Sequence, residues 1–123
     1  MEYLDLLVKL RDCTREAEKI KRALMLSNNS RAETKEVLAQ KSAYMRAEGE
    51  RSHLMKEARQ TTRESLDPVL MQALFLRRVH NTPWEEIVPQ LATDRSEMDL
   101  RVAAFEYVKS RFPKGSERYS DCF

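Results

Sequence analysis

The distribution of helix breakers constrains this chain more than any other feature. All four prolines fall after residue 67, and the only glycines are Gly49 and Gly115. The first half therefore carries little that would interrupt a long helix. Alternating runs of Val, Ile and Thr, the mark of half-buried strands, are absent. An all-α fold follows. At 123 residues, 41% hydrophobic and 34% charged, the chain fits a single small unit with a core.

Breakers cluster at residues 27 to 30, 65 to 68, 80 to 83 and 92 to 96. This spacing predicts five helices, over about 2–26, 31–64, 68–80, 83–91 and 95–112. In the first, Leu4, Leu7, Cys13, Ala17, Ile20 and Leu24 form an apolar stripe; in the second, Val37, Leu38, Tyr44, Met45, Leu54, Met55 and Ala58 do. Ser30 with Glu33 makes a capping box that restarts the chain as a helix after Ser27-Asn28-Asn29. Residues 1–65 thus read as a long antiparallel helical hairpin or coiled-coil arm. Between Arg46 and His53 no large apolar side chain occurs, so the second helix either projects past the first or bends at Gly49. The first helix is too short to cover all of the second. The stripe near Leu54 and Met55 then needs cover from the C-terminal segment or from a second subunit, and a homodimer through the N-terminal helices is expected.

Residues 66–112 read differently. Asp67-Pro68 is a cap followed by a proline at the first helical position, and Val69, Leu70, Leu74 and Leu76 follow until His80-Asn81, where Asn tolerates a left-handed turn. Thr82-Pro83-Trp84-Glu85 repeats the start signal, with Thr82 as the expected cap, and Trp84, Ile87, Val88 and Leu91 share a helical face. Pro89 removes one bond to Glu85 within that short helix. Ser96 and Asp99 stand in capping-box spacing at the start of the last helix, where Met98, Val102, Phe105 and Phe112 mark the apolar stripe. Only a few residues separate Leu91 from Arg95. So short a connection makes the two helices cross steeply and projects the second outward.

On these residues the segment from about Leu66 to Phe112 resembles the region-four-like helix-turn-helix of sigma factors, as found in small phage-encoded regulators of the ArpU and RinA kind and related uncharacterised phage proteins. The pattern that carries the resemblance is Trp84-Glu85-Glu86-Ile87, then Leu91, the turn Ala92-Thr93, and Met98. Three positions depart from it: Ala92 stands where Gly is usual, Val88 where a small residue is, and Pro89 interrupts the helix. The resemblance implies a DNA-binding transcriptional regulator of phage or prophage origin, with double-stranded DNA as partner and a host transcription protein as a further one. By the same resemblance Thr82 and Trp84 would meet phosphates, and Arg95, Ser96, Glu97 and Arg101 would take the base-reading positions. Arg77 and Arg78, at the end of the preceding helix, add candidate phosphate contacts.

Charge argues the other way. Residues 1–65 carry 14 Lys+Arg against 11 Asp+Glu, net +3, whereas residues 66–123 carry 8 against 9, net −1. Phosphate neutralisation supplies most non-specific affinity for DNA, so such a reading head binds weakly unless its cations converge or dimerisation doubles the contact. Glu97 can accept from cytosine N4 and an Arg can donate to guanine, so acidity alone does not exclude readout. The alternative is a helical protein–protein interaction module with a helix-turn-helix shape and no DNA binding. Trp84, as the only Trp beside Ile87 and Val88, also reads as a core anchor.

Nothing in the sequence assembles a catalytic site, a phosphate loop or a metal-ligand spacing, and no enzyme, cofactor or metal is expected. Cys13 and Cys122 lie near opposite ends and read as incidental thiols. No stretch approaches the roughly 20 apolar residues of a membrane span. With an opening Met1-Glu2-Tyr3 that lacks a signal-peptide pattern, a cytoplasmic location is expected. Residues 113–123 read as a flexible tail.

Overall fold

The computed structural model describes residues 2–27 and 35–112. Within them the chain is all helical: α1 spans Tyr3–Ser27, α2 Lys35–Glu64, α3 Pro68–Val79, α4 Trp84–Gln90 and α5 Glu97–Arg111, and no strand occurs among the described residues. Of the breaker cluster expected at residues 27 to 30, Ser27 closes α1 and the rest lies outside the described residues, as do the Ser30–Glu33 capping box and the 113–123 tail. No helix among the described residues is long and apolar enough to cross a membrane. The chain divides into two compact units, Met1–Arg59 and Gln60–Phe123.

In the first unit α1 and α2 run in opposite directions. Arg51 Nε donates to Thr14 Oγ1 at 3.3 Å, and the cleft that holds this bond is lined farther along by Lys21 and Tyr44. Ascending numbers on α1 therefore meet descending numbers on α2. Burial on α1 is concentrated at its start, in Tyr3, Leu4, Leu6, Leu7 and Leu10, with Ala17 following; Ile20 and Leu24 are half-buried, and Met25 and Leu26 are exposed. On α2 only Val37, Leu54 and Ala58 are buried, while Leu38 and Met45 face solvent. The stretch without large apolar side chains is helical throughout, Gly49 included, and nothing lies within 4 Å of where a Cβ on Gly49 would sit.

In the second unit α3, α4 and α5 pack on one another pairwise. Capping sets the start of α3, because Asp67 Oδ1 accepts from the Leu70 N–H at 3.1 Å and Pro68 occupies a position that needs no donor. Leu70, Met71, Ala73 and Leu74 are its buried residues of apolar type. The helix closes at His80, whose ring meets Phe75 edge-on at 5.4 Å, and Asn81 then takes φ 52. That left-handed residue turns the chain so that the Thr82 N–H donates to the Leu76 carbonyl at 3.1 Å.

The start of α4 corrects the sequence reading by one residue. Pro83, with φ −60 and ψ 145, is itself the cap residue, and its carbonyl accepts from Glu86 and Ile87; no side chain caps the helix, so the Thr82 hydroxyl does not serve there. A proline can take this position because the cap residue contributes its carbonyl rather than its N–H. Trp84 and Ile87 are buried beneath α4, and Pro89 sits in its last turn. The expected cap on α5 is present: Ser96 Oγ accepts from the Asp99 N–H at 3.1 Å.

The apolar face of α5 is the second correction. Leu100, Ala104 and Val108 are buried, whereas Met98, Val102 and Phe105 are 66%, 47% and 48% exposed. Both rows recur at helical spacing. The buried row has the small Ala104 at its centre, and the bulkier row is left outside.

Candidate nucleic-acid interface

The link between α4 and α5 has a defined geometry. Leu91 ends α4, Ala92 adopts φ 47, and Thr93 Oγ1 accepts from the Arg95 N–H at 3.2 Å. A non-glycine residue at that φ is strained by roughly 1–2 kcal/mol, so packing of α4 and α5 must hold the turn. This is the position at which the sequence pattern has Ala in place of Gly.

Three of the sequence-derived site residues gather at the start of α5. Ser96 is exposed and acts as cap, Glu97 is half-buried, and Arg101 is exposed with Nη1 at 4.0 Å from Glu97 Oε2. An exposed pair at that distance is weak and leaves the guanidinium available to another acceptor. Glu97 and Asp99 in the first turn complement the positive end of the helix dipole, and Lys109 and Arg111 in the last turn complement the negative end.

The others are engaged elsewhere. Arg95 precedes α5 and reaches back to the start of α3, where Nη1 donates to both carboxylate oxygens of Asp67 at 2.9 Å. Arg77 Nη1 donates to the Thr82 carbonyl at 3.3 Å, which ties the end of α3 to the loop before α4. Arg78 is only 7% exposed, and its guanidinium is not offered to a phosphate. Trp84 is also buried, which suits an anchor for α4 rather than a stacking surface; its Nε1 makes no hydrogen bond among the described residues.

Sequence reasoning named the row of Met98, Val102 and Phe105 as the apolar stripe of α5, and missed that it faces outward while Leu100, Ala104 and Val108 are buried. Met98, Val102 and Phe105, with Arg101, Glu106 and Lys109, line a shallow groove of about 570 Å³, and Lys109 Nζ lies 5.7 Å from the Phe105 ring centre. A second row, Leu100, Ala104 and Val108, recurs on the same helix at helical spacing, and choosing the buried one required knowing what α5 packs against. No group of three or more His, Cys, Asp or Glu side chains among the described residues could hold a metal ion.

Comparison with protein-family models, with curated proteins and with solved structures finds no match to this chain.

Proposed function

We propose that the chain is a DNA-binding transcriptional regulator in which α3 to α5 act as a helix-turn-helix module that follows, along the sequence, a helical arm made by α1 and α2. The observation that carries this reading is the turn at Ala92. Its left-handed residue joins a seven-residue α4 to a capped α5 through a short link, and α5 keeps a full face open to solvent. In this reading α5 enters the major groove. Arg101 donates to guanine, Glu97 accepts from cytosine, and the apolar Met98 and Val102 meet thymine methyl groups. Lys109 and Arg111 supply phosphate contacts, and Ser96 supports the approach of the first turn.

The net charge of −1 over residues 66–123 makes one copy a weak binder, so the proposal includes a homodimer through the N-terminal helices, which leaves α5 open and doubles the phosphate contacts. A host transcription protein is the further partner that the sigma-like pattern implies. The direct test is fluorescence anisotropy of a labelled random duplex at two salt concentrations. Binding that weakens with salt is expected, and no affinity tighter than about 10⁻⁴ M at low salt would end the DNA reading.

One observation favours a second reading. Three large apolar side chains on the outward face of α5 fit a protein surface as well as a groove of DNA. On that reading the protein is a helical interaction module without DNA affinity, and a salt-independent absence of duplex binding is its signature.

A further inference from the structure

The outward face of α5 carries a pattern that goes beyond the DNA reading and does not depend on it. Met98, Val102, Phe105 and Lys109 are spaced four, three and four residues apart, the seam spacing of a two-stranded coiled coil. Arg101 and Glu106 border this seam on opposite edges and line the same groove. Asp99 shares the Glu106 edge, being exposed and seven residues before it.

We infer that this face binds the same face of a second copy, with the two α5 helices parallel. Charge selects the direction. In a parallel pair one edge of each helix meets the opposite edge of its mate, so Arg101 of one copy falls beside Glu106 of the other, five residues farther along, and symmetry makes this contact twice. In an antiparallel pair each edge meets its own kind, and Asp99 and Glu106 of one copy would face Glu106 and Asp99 of the other. Like charges held that close repel. The seam residues set the strength as well. Val102 and Phe105 bury apolar surface that is now half exposed, whereas Lys109 is exposed with its Nζ over the Phe105 ring at 5.7 Å, and in a pair its long stem can cover the seam while the ammonium reaches solvent.

The pair is a weak one. Fifteen residues of α5 give a contact about 22 Å long, roughly two heptads, which falls short of the roughly 800 Å² per partner of a stable interface. Because the same face is the one proposed to enter DNA, self-association and duplex binding exclude each other at α5.

Sedimentation of the full chain over a concentration series, without DNA, tests the pairing. The wild type shows a reversible self-association that grows with concentration. Glu106→Arg weakens it at least about tenfold by setting like charges across the seam, and the double change Arg101→Glu with Glu106→Arg restores it. Direction is read separately, in a Cys13→Ser, Cys122→Ser background. Met98→Cys and Phe105→Cys should each form a disulfide-linked dimer on oxidation, because seam residues of a parallel pair meet their own counterparts. These positions are on the surface, so helical content by circular dichroism stays unchanged. A wild type monomeric throughout overturns the inference. So does self-association indifferent to Glu106→Arg, whose interface lies elsewhere, or crosslinking at neither or only one of the two cysteine positions, which excludes a parallel pair. None of these outcomes depends on duplex binding, whose own test is the anisotropy measurement.

Discussion

Arg95 holds the carboxylate of Asp67 across 28 residues of sequence, with Nη1 at 2.9 Å from both oxygens, while Oδ1 of the same carboxylate caps α3 through the Leu70 N–H. One side chain thus starts α3 and anchors the link that leads into α5. The Arg95 and Asp67 side chains are 30% and 39% exposed, so solvent screens much of their attraction. Asp67→Ala should cost about 1–2 kcal/mol, mostly from the lost cap. Asp67→Asn keeps an acceptor for Leu70 and should lose only the ionic part, about 0.5–1 kcal/mol. A urea double-mutant cycle with Arg95→Ala checks this, and a coupling energy near zero would show that the contact does not stabilise the link.

Ala92 offers a stabilising change. Its φ of 47 is a conformation that glycine adopts without steric cost. Ala92→Gly should relieve roughly 1–2 kcal/mol of strain and lose about 0.4–1 kcal/mol through the freer unfolded chain, for a net gain of about 0.5–1 kcal/mol. Thermal unfolding should shift upward by a few degrees. A lower melting temperature would mean that the Ala92 methyl group makes contacts worth more than the strain.

These two sites show which parts of the fold were legible in the sequence. The caps at Asp67 and Ser96 depend on a side chain and an N–H three residues away, and both are where the sequence predicts them. The left-handed turn at Asn81 is equally local. The Arg95–Asp67 contact, the burial of Arg78 and the choice between the two apolar rows of α5 depend on which helices lie side by side. Local spacing does not contain that information. Of the four positions that the sigma-like resemblance gives to base reading, Ser96, Glu97 and Arg101 lie together at the start of α5. Arg95 fits the same pattern by position but is engaged by a residue that no local rule connects to it.

Cys13 gives a prediction that depends on pH. Burial, and then the charge and hydrogen bond of the Glu50 carboxylate, push its thiol above the ordinary value. At mildly alkaline pH the folded chain therefore holds less thiolate than the unfolded one, and alkylation of Cys13 should be several-fold slower than that of a model thiol. In a Cys122→Ser background, Glu50→Gln should speed it. The sign for stability follows from the same shift. The contribution is intact below the unfolded thiol's pKa and declines as pH rises above it, because the unfolded thiol ionises first. A modification rate unchanged by Glu50→Gln would show that the carboxylate does not act on the thiol.

Arg101 and Arg78 separate a role in binding from a role in the fold. Arg101 is exposed on the outward face of α5 and has only a weak partner at 4.0 Å, so Arg101→Ala should leave stability within about 0.5 kcal/mol of the wild type. If α5 reads DNA, the same change should weaken binding to a selected duplex by about 1–3 kcal/mol and relax the preference at one base pair. Arg78 is buried, so Arg78→Ala should instead destabilise the fold by about 1–3 kcal/mol and leave the salt dependence of duplex binding unaltered once folding is complete. Urea unfolding combined with anisotropy at two salt concentrations distinguishes the two. A flattened salt dependence in Arg78→Ala with full stability would mean that its guanidinium reaches the phosphates. Unchanged duplex binding in Arg101→Ala would remove α5 as the reading helix.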